Sequence, residues 1–274
     1  MYYYINGKYI NSKEAKIPFS DAGFLYGDGL FETMRFDKGK IFSINSHLNR
    51  LLNGLKIINL HIALNKKEIS NLLIDIIKNN NLKSGIIRLM ITRGITNNID
   101  LGKINNPSIY ISIKPFYKIP QPPVRVIYLD EKKFPIIRFS PAIKSMNYLG
   151  NMLAKNESKN NNAFEPIFYN KDKIITECAI RNIFYIKNNR LLTPSLDLGI
   201  LPGVMRDTII DIAKKLNINV QESHIHYDNV DMMDEAFISS TGIGLLECYW
   251  NGWKSDFIIT KQIKKELFKR IKNS

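Results

Sequence analysis

"SPAIKSMNYLGN", residues 140–151, carries one charged side chain, Lys144. Elsewhere lysine falls in solvated runs such as "EKKF" (131–134) and "KQIKKE" (261–266). Here small, apolar and amide residues flank it, and a helical pattern follows from about Asn147 to Lys159. A lysine amine is a nucleophile only once deprotonated. Burial or a nearby positive field lowers its pKa and fits it for Schiff-base chemistry. The plain alternative is a lysine at a strand end whose head reaches water. What stands on either side bears on the choice.

Upstream, "YYYINGKYI" reads as a hairpin turning at Asn6-Gly7. "GLFETMRFDKGKIFSI" reads as a second, turning at Lys38-Gly39-Lys40. From Ser46, the leucines 48, 51, 52 and 55 and Ile58 recur at helical spacing. Asn65 and Glu68 form a capping-box signature that opens another helix. "SGIIRLMITRGI" and "PSIYISIKPF" read as strands. The prolines 120, 122 and 123 mark a linker over 117–123. Downstream, "VRVIYLD", "EPIFYN" and "IFYIKNNRLLTP" are strand-like. A loop, "GILPGVMRD", leads into an amphipathic helix from about Val204. "EAFISSTGIGLLECYW" is strand, turn, strand, and a terminal helix starts near Lys261. The expectation is an α+β chain of two domains, 1–116 and 124–274.

Composition places the chain among globular proteins: of 274 residues, 45% are hydrophobic and 23% charged. No apolar run approaches a membrane span, and "MYYYINGKYI" lacks the charged and apolar regions of a signal peptide. The formal charge of +14 raises the possibility of a nucleic-acid partner. However, the lysines are dispersed among asparagines, without zinc-finger spacing, an aromatic ribonucleoprotein motif or a basic heptad helix. A solvated basic surface is therefore expected, with no nucleic acid or membrane partner. Two cysteines, Cys178 and Cys248, make neither a disulfide framework nor a zinc site. A cytoplasmic, reducing location without a metal is expected.

Several groups could accompany Lys144. Gly199 and Gly203 precede the helix near Val204, whose free N-terminal amides suit a phosphate; loop-helix junctions of this kind are also common without one. "ISSTGIG" (238–244) gathers three hydroxyls, including Ser240 and Thr241, and two glycines, as an anion-holding turn or simply a tight one. Arg50 lies on a helix among apolar residues, facing a ligand or the surface. Glu177, in "IITECAIRNIF", has apolar flanks and wants a cationic partner.

In order along nearly the whole chain, "SDAGFLYGDGLFETMRF", "HLNRL", "IKSMNYLGNMLAKNE", "TECAIRNIF", "TPSLDLGILPGVMR" and "FISSTGIG" resemble the blocks of class IV aminotransferases. These are the fold-type IV enzymes of pyridoxal 5′-phosphate. They include branched-chain and D-amino acid aminotransferases and aminodeoxychorismate lyases. The resemblance implies a two-domain fold with the cofactor-binding domain at 124–274. It implies that Lys144 holds the cofactor aldehyde as a Schiff base and moves a proton. By the same resemblance, Glu177 pairs with the ring nitrogen and Tyr148 lies near the ring hydroxyl. Arg50, the amides of Val204 and Met205, and Thr241 with Ser240 hold the phosphate, and Asn182 orders the loop. Tyr26, Phe31, Arg93 and the amides near Gly242 fall on the substrate side. Arg181 departs from the usual residue before the asparagine and is expected to face outward. After Arg93, the segment "RGITNNID" lacks the arginine and histidine that D-amino acid enzymes use for the substrate carboxylate, which lowers the D-amino acid reading. An aminotransferase acting between amino acids and 2-oxo acids is the leading expectation, as a homodimer. A lyase releasing pyruvate and 4-aminobenzoate is the alternative within the fold, and a basic binding protein without cofactor the remote one.

Overall fold

Two compact units emerge from a computed structural model that describes residues 1–96 and 106–273. The first comprises Met1–Tyr117 and Ile143–Asn147, the second Lys118–Ala142 and Tyr148–Asn273. Positions 97–100 of "RGITNNID" lie outside the described residues.

The first unit runs β1 (Tyr2–Ile5), β2 (Lys8–Asn11), α1 (Ala22–Tyr26), β3 (Gly29–Asp37), β4 (Lys40–Ile41), α2 (Ile44–Ile57), α3 (Lys66–Asn79), β5 (Ser84–Thr92) and β6 (Ser108–Lys114). Its strands form an antiparallel sheet ordered β2-β1-β6-β5-β3-β4. The first hairpin turns where expected, because Asn6 and Gly7 both take the left-handed backbone that a two-residue turn needs, at φ 45° and 92°. Asn65 accepts from the amides of Lys67 and Glu68, and Glu68 answers to the Asn65 amide, completing the capping box. α2 turns His47, Leu48, Leu51 and Leu55 inward, α3 turns Ile69, Leu73, Ile76 and Ile77 inward, and both pack on the sheet. Each such leucine or isoleucine contributes roughly 1.5–3 kcal/mol by burial.

β3 decides what this unit can hold. It pairs with β5 over its whole length, Gly29 to Asp37 against Thr92 to Ser84. Its other edge pairs with the two-residue β4 only at Phe36 and Asp37. The start of that edge, Gly29–Phe31, takes up Lys144–Met146: the Phe31 amide donates to the Lys144 carbonyl at 3.0 Å, and the Met146 amide to the Gly29 carbonyl at 2.9 Å. The lysine segment is therefore a short extra strand of the first unit.

The second unit runs β7 (Val124–Asp130), α4 (Leu149–Asn160), β8 (Glu165–Tyr169), β9 (Ile175–Cys178), β10 (Asn182–Lys187), β11 (Arg190–Pro194), α5 (Val204–Lys215), β12 (Asn219–Ser223), β13 (Glu235–Ser240), β14 (Gly244–Tyr249) and α6 (Ile258–Asn273). Its eight strands are ordered β12-β11-β10-β13-β14-β7-β8-β9, with parallel pairs at β11/β12, β14/β7 and β7/β8. Val126, Ile167, Ile175, Tyr185 and Ile238 anchor its core. α5 begins at Val204 as its spacing predicts. α4 starts at Leu149 rather than Asn147, since Tyr148 caps it, and α6 starts at Ile258, before the lysines. Among the described residues no helix is long and apolar enough to cross a membrane, and no cluster of His, Cys, Asp and Glu could hold a metal.

Candidate active site

In the first unit, Lys144 is half-buried, and its amine lies 4.6 Å from the centre of the Phe31 ring. Phe31 is buried, and the Arg88 guanidinium lies 4.0 Å from the same centre. Such contacts favour a cation by about 0.5–2 kcal/mol each. The Phe31 ring thus packs against the lysine head, while the Phe31 amide holds the lysine backbone.

Arg50 sits beside a buried carboxylate that the sequence analysis did not single out. Leu30, Glu32, Met34 and Phe36 occupy one face of β3 and are at most 2% exposed, so Glu32 takes a core position. Arg50 donates from Nε to Oε1 and from Nη2 to Oε2 of Glu32, both at 2.7 Å. His47, one turn earlier on α2, bonds Oε2 through Nδ1 at 2.7 Å. Burial pushes the Glu32 carboxyl up, but Arg50 and His47 outweigh it and hold the carboxyl down at about 2. Burial pushes the His47 imidazole below its ordinary value, against the pull of Glu32; the charges of Arg50 and Lys144 add to the lowering. The signals for this cluster were present: an acid at core parity in "GLFETMRF", and a His–Arg pair at i, i+3.

Arg93 is buried, with its guanidinium engaged inside the first unit. Nε and Nη2 donate to Asp28 at 2.6 and 3.1 Å, and Nη1 and Nη2 to the carbonyls of Asn59 and Ile58 at 3.3 and 2.9 Å. These bonds commit the guanidinium to tying the end of α2 to the turn before β3. Tyr26 ends α1 with about half its surface exposed.

In the second unit, Glu177 stands on β9. Its Oε1 accepts from Arg138 Nη1 at 2.7 Å and its Oε2 from the Leu201 amide at 3.4 Å. Arg138 also bonds Glu131, which accepts from the Thr176 hydroxyl. Sequence reasoning missed Arg138, which sits in "PIIRFS" with no local sign of partners so far along the chain. Asn182 opens β10 and donates from Nδ2 to the carbonyl and hydroxyl of Ser239 at 3.0 and 3.1 Å. A Cβ on Gly203 would fall 2.3 Å from Asn182 Oδ1, so any side chain there would have to push Asn182 aside. Gly203 caps α5 and has no side chain to occupy the first-turn amides, so those of Val204 and Met205 are left for another acceptor. Ser240 ends β13; Thr241, buried, and Gly242 form the turn to β14. Tyr148 is half-buried at the cap of α4.

Arg181 corrects its expected outward orientation. It is buried, bonds Glu165 through Nη1, and its guanidinium lies 4.5 Å from the centre of the Phe164 ring. Glu165, fully buried, also accepts from Lys155 at 2.8 Å and from the Ile180 amide at 3.0 Å. A buried carboxylate requires such partners, and the inward turn of Arg181 supplies one.

Comparison with known proteins identifies the family. The family model for amino-transferase class IV matches residues 29–248. The chain is 33% identical over 253 residues to a putative branched-chain-amino-acid aminotransferase of Methanocaldococcus jannaschii, covering 90% of this chain and 86% of that one. It is also 33% identical to a D-alanine aminotransferase of Listeria monocytogenes, over 87% of this chain and 83% of that one. It is 33% identical again to an aminodeoxychorismate lyase of Bacillus subtilis, over 89% and 84%. The branched-chain aminotransferase of Thermoproteus uzoniensis, solved with norvaline, superposes with a TM-score of 0.88 at 26% identity, covering 98% of this chain and 94% of that one. The chain belongs to the class IV aminotransferases, fold-type IV enzymes whose cofactor is pyridoxal 5′-phosphate.

Proposed function

We propose that the chain is an aminotransferase moving an amino group from a branched-chain-like or general amino acid to a 2-oxo acid by a ping-pong route. The observation that carries the reading is the placement of Lys144, pinned through its backbone to β3 with its amine against the Phe31 ring. The donor set fits the cofactor: an amine, a guanidinium held by a buried carboxylate, helix amides beneath a glycine cap, and a carboxylate oriented by an arginine. Once bound, the cofactor supplies an electron sink for the bond broken at the substrate Cα. Lys144 holds the cofactor's aldehyde carbon. Once the substrate amine has taken that place, the Lys144 amine would be free to accept and return the proton of the substrate Cα. Glu177, oriented by Arg138 and the Leu201 amide, holds a proton on the ring nitrogen. Arg50, the amides of Val204 and Met205, Ser240 and Thr241 hold the phosphate, and Asn182 steadies that end through Ser239 and Gly203. Tyr148 lies at the ring hydroxyl. Tyr26, Phe31 and Gly242 face the substrate, and Arg93 orders the turn before β3. The second unit, Lys118–Ala142 and Tyr148–Asn273, supplies most of the cofactor contacts, and the first supplies Arg50 and Lys144.

The exposed Leu149, Met152 and Leu153 of α4 support at least a homodimer. The two buried free thiols, Cys178 and Cys248, suit a reducing cytoplasm.

The similarity to a lyase supports a second reading, in which the same lysine removes the Cα proton and pyruvate is released from aminodeoxychorismate. Purified enzyme is assayed with branched-chain L-amino acids, with D-alanine, each with 2-oxoglutarate, and with aminodeoxychorismate. Fast turnover in the first arm is the expected result. Fast pyruvate release in the last with negligible transfer overturns it in favour of the lyase. A Lys144→Ala protein that keeps the visible band of covalently held cofactor refutes the role of the lysine in either case.

A further inference from the structure

Glu32 is hard to explain by stability alone. It stands among Leu30, Met34 and Phe36, where an apolar side chain would serve the core as well or better. Instead the position holds a fully buried carboxylate with three hydrogen bonds: Arg50 Nε on Oε1, and Arg50 Nη2 and His47 Nδ1 on Oε2. The two arginine bonds occupy one edge of the guanidinium fork and so fix its plane. The Arg50 side chain keeps 14% of its surface exposed, whereas the Glu32 side chain has none, so the clamp is dry and the head is at its margin. His47 and Arg50 share one face of α2, so a single helix delivers both donors to one carboxylate.

We propose that Glu32 and His47 are positioning residues for the phosphate-holding arginine: Glu32 aligns the Arg50 fork, and His47 locks Glu32 by donating from Nδ1. This rests on the reading of Arg50 given above. Nδ1 of His47 faces an ionised carboxylate oxygen, which can only accept, so the proton of that bond belongs on Nδ1. The Glu32 charge offsets that of Arg50. The arginine therefore acts on a phosphate through aligned hydrogen bonds more than through net charge, and misalignment costs it most of its effect.

The test strips the full-length enzyme of cofactor and titrates it with pyridoxal 5′-phosphate and, separately, with pyridoxal, which lacks the phosphate. The readout is the ratio of the two dissociation constants, which general loosening of the fold leaves unchanged. Glu32→Gln and His47→Leu are expected to weaken phosphate-ester binding about ten- to hundredfold, the equivalent of one charge-assisted hydrogen bond. Pyridoxal binding should barely move. His47→Asn, which keeps an N–H donor near the Nδ1 position, should recover most of the loss. Equal weakening of both ligands, or of neither, in variants where Arg50→Ala abolishes the phosphate preference, overturns the positioning role and leaves the Arg50 reading intact. An unchanged preference in Arg50→Ala overturns that reading and this inference with it. If Glu32→Gln does not fold, the contrast between His47→Leu and His47→Asn decides, and equal ratios in the two refute the proposal.

Discussion

Lowering the pH should unload the Glu32 clamp in a window set by its own titration. The carboxyl is held at about 2 in the folded chain against 4.5 as a free side chain. A difference of that size corresponds to about 3 kcal/mol of stability. The folded-state value is depressed, so the unfolded chain binds more protons between the two values and stability falls as the pH falls. The contribution is fully present above 4.5 and is lost on the way down to about 2. By pH 3 about 2 kcal/mol of it should be gone. His47 is also depressed and drains stability in the same direction below its ordinary value, so it has to be silenced. His47→Asn and His47→Asn/Glu32→Gln are therefore unfolded in guanidinium at steps from pH 7 to pH 3, followed by tryptophan fluorescence. The gap between them should be constant down to about pH 5 and then shrink by up to about 2 kcal/mol, less the part of the lowering that His47 supplied. Two curves that stay parallel throughout would mean that Glu32 is not held ionised by its partners, and the account of the clamp would fail.

Other perturbations test the second unit. Arg138→Leu removes the partner that Glu177 and Glu131 share, and should lower kcat about tenfold or more through loss of charged hydrogen bonds. Steady-state kinetics and the cofactor's visible band check it, and an unchanged kcat counts against Glu177 being oriented by Arg138. Arg181→Leu leaves Glu165 with Lys155 and one amide, and should cost about 3 kcal/mol in chemical denaturation. A loss below about 0.5 kcal/mol, usual for a surface position, would restore the outward orientation expected from sequence.

The features that sequence made legible are those written in local chemistry. Asn6-Gly7 requires left-handed backbone, the Asn65–Glu68 box is closed within four residues, and α5 starts where glycine gives way to an amphipathic repeat. Lys144 was conspicuous because its neighbours are uncharged. Arg181, Arg93 and Arg138 resisted reading for the opposite reason. Each takes its orientation from a carboxylate distant in the chain, Glu165, Asp28 and Glu177, and no spacing rule links such pairs. β12 was missed because "NVQES" is a largely exposed edge strand without the apolar alternation that marks the others. Glu32 shows in sequence only as an acid at core parity on β3, because its partners His47 and Arg50 lie on a separate helix.

The chain leaves the first unit after Tyr117, returns for Ile143–Asn147 and leaves again. During synthesis, the Phe31 amide and the Gly29 carbonyl wait without their partners, the Lys144 carbonyl and the Met146 amide, until that segment leaves the ribosome. The first unit is therefore completed out of sequence order, and the last piece set into it is the one that bears the lysine. A fragment cut at Tyr117 would keep an open edge on β3, an invitation to pair with other chains. Supplying a peptide spanning 140–151 to such a fragment would restore both the closed edge and the amine.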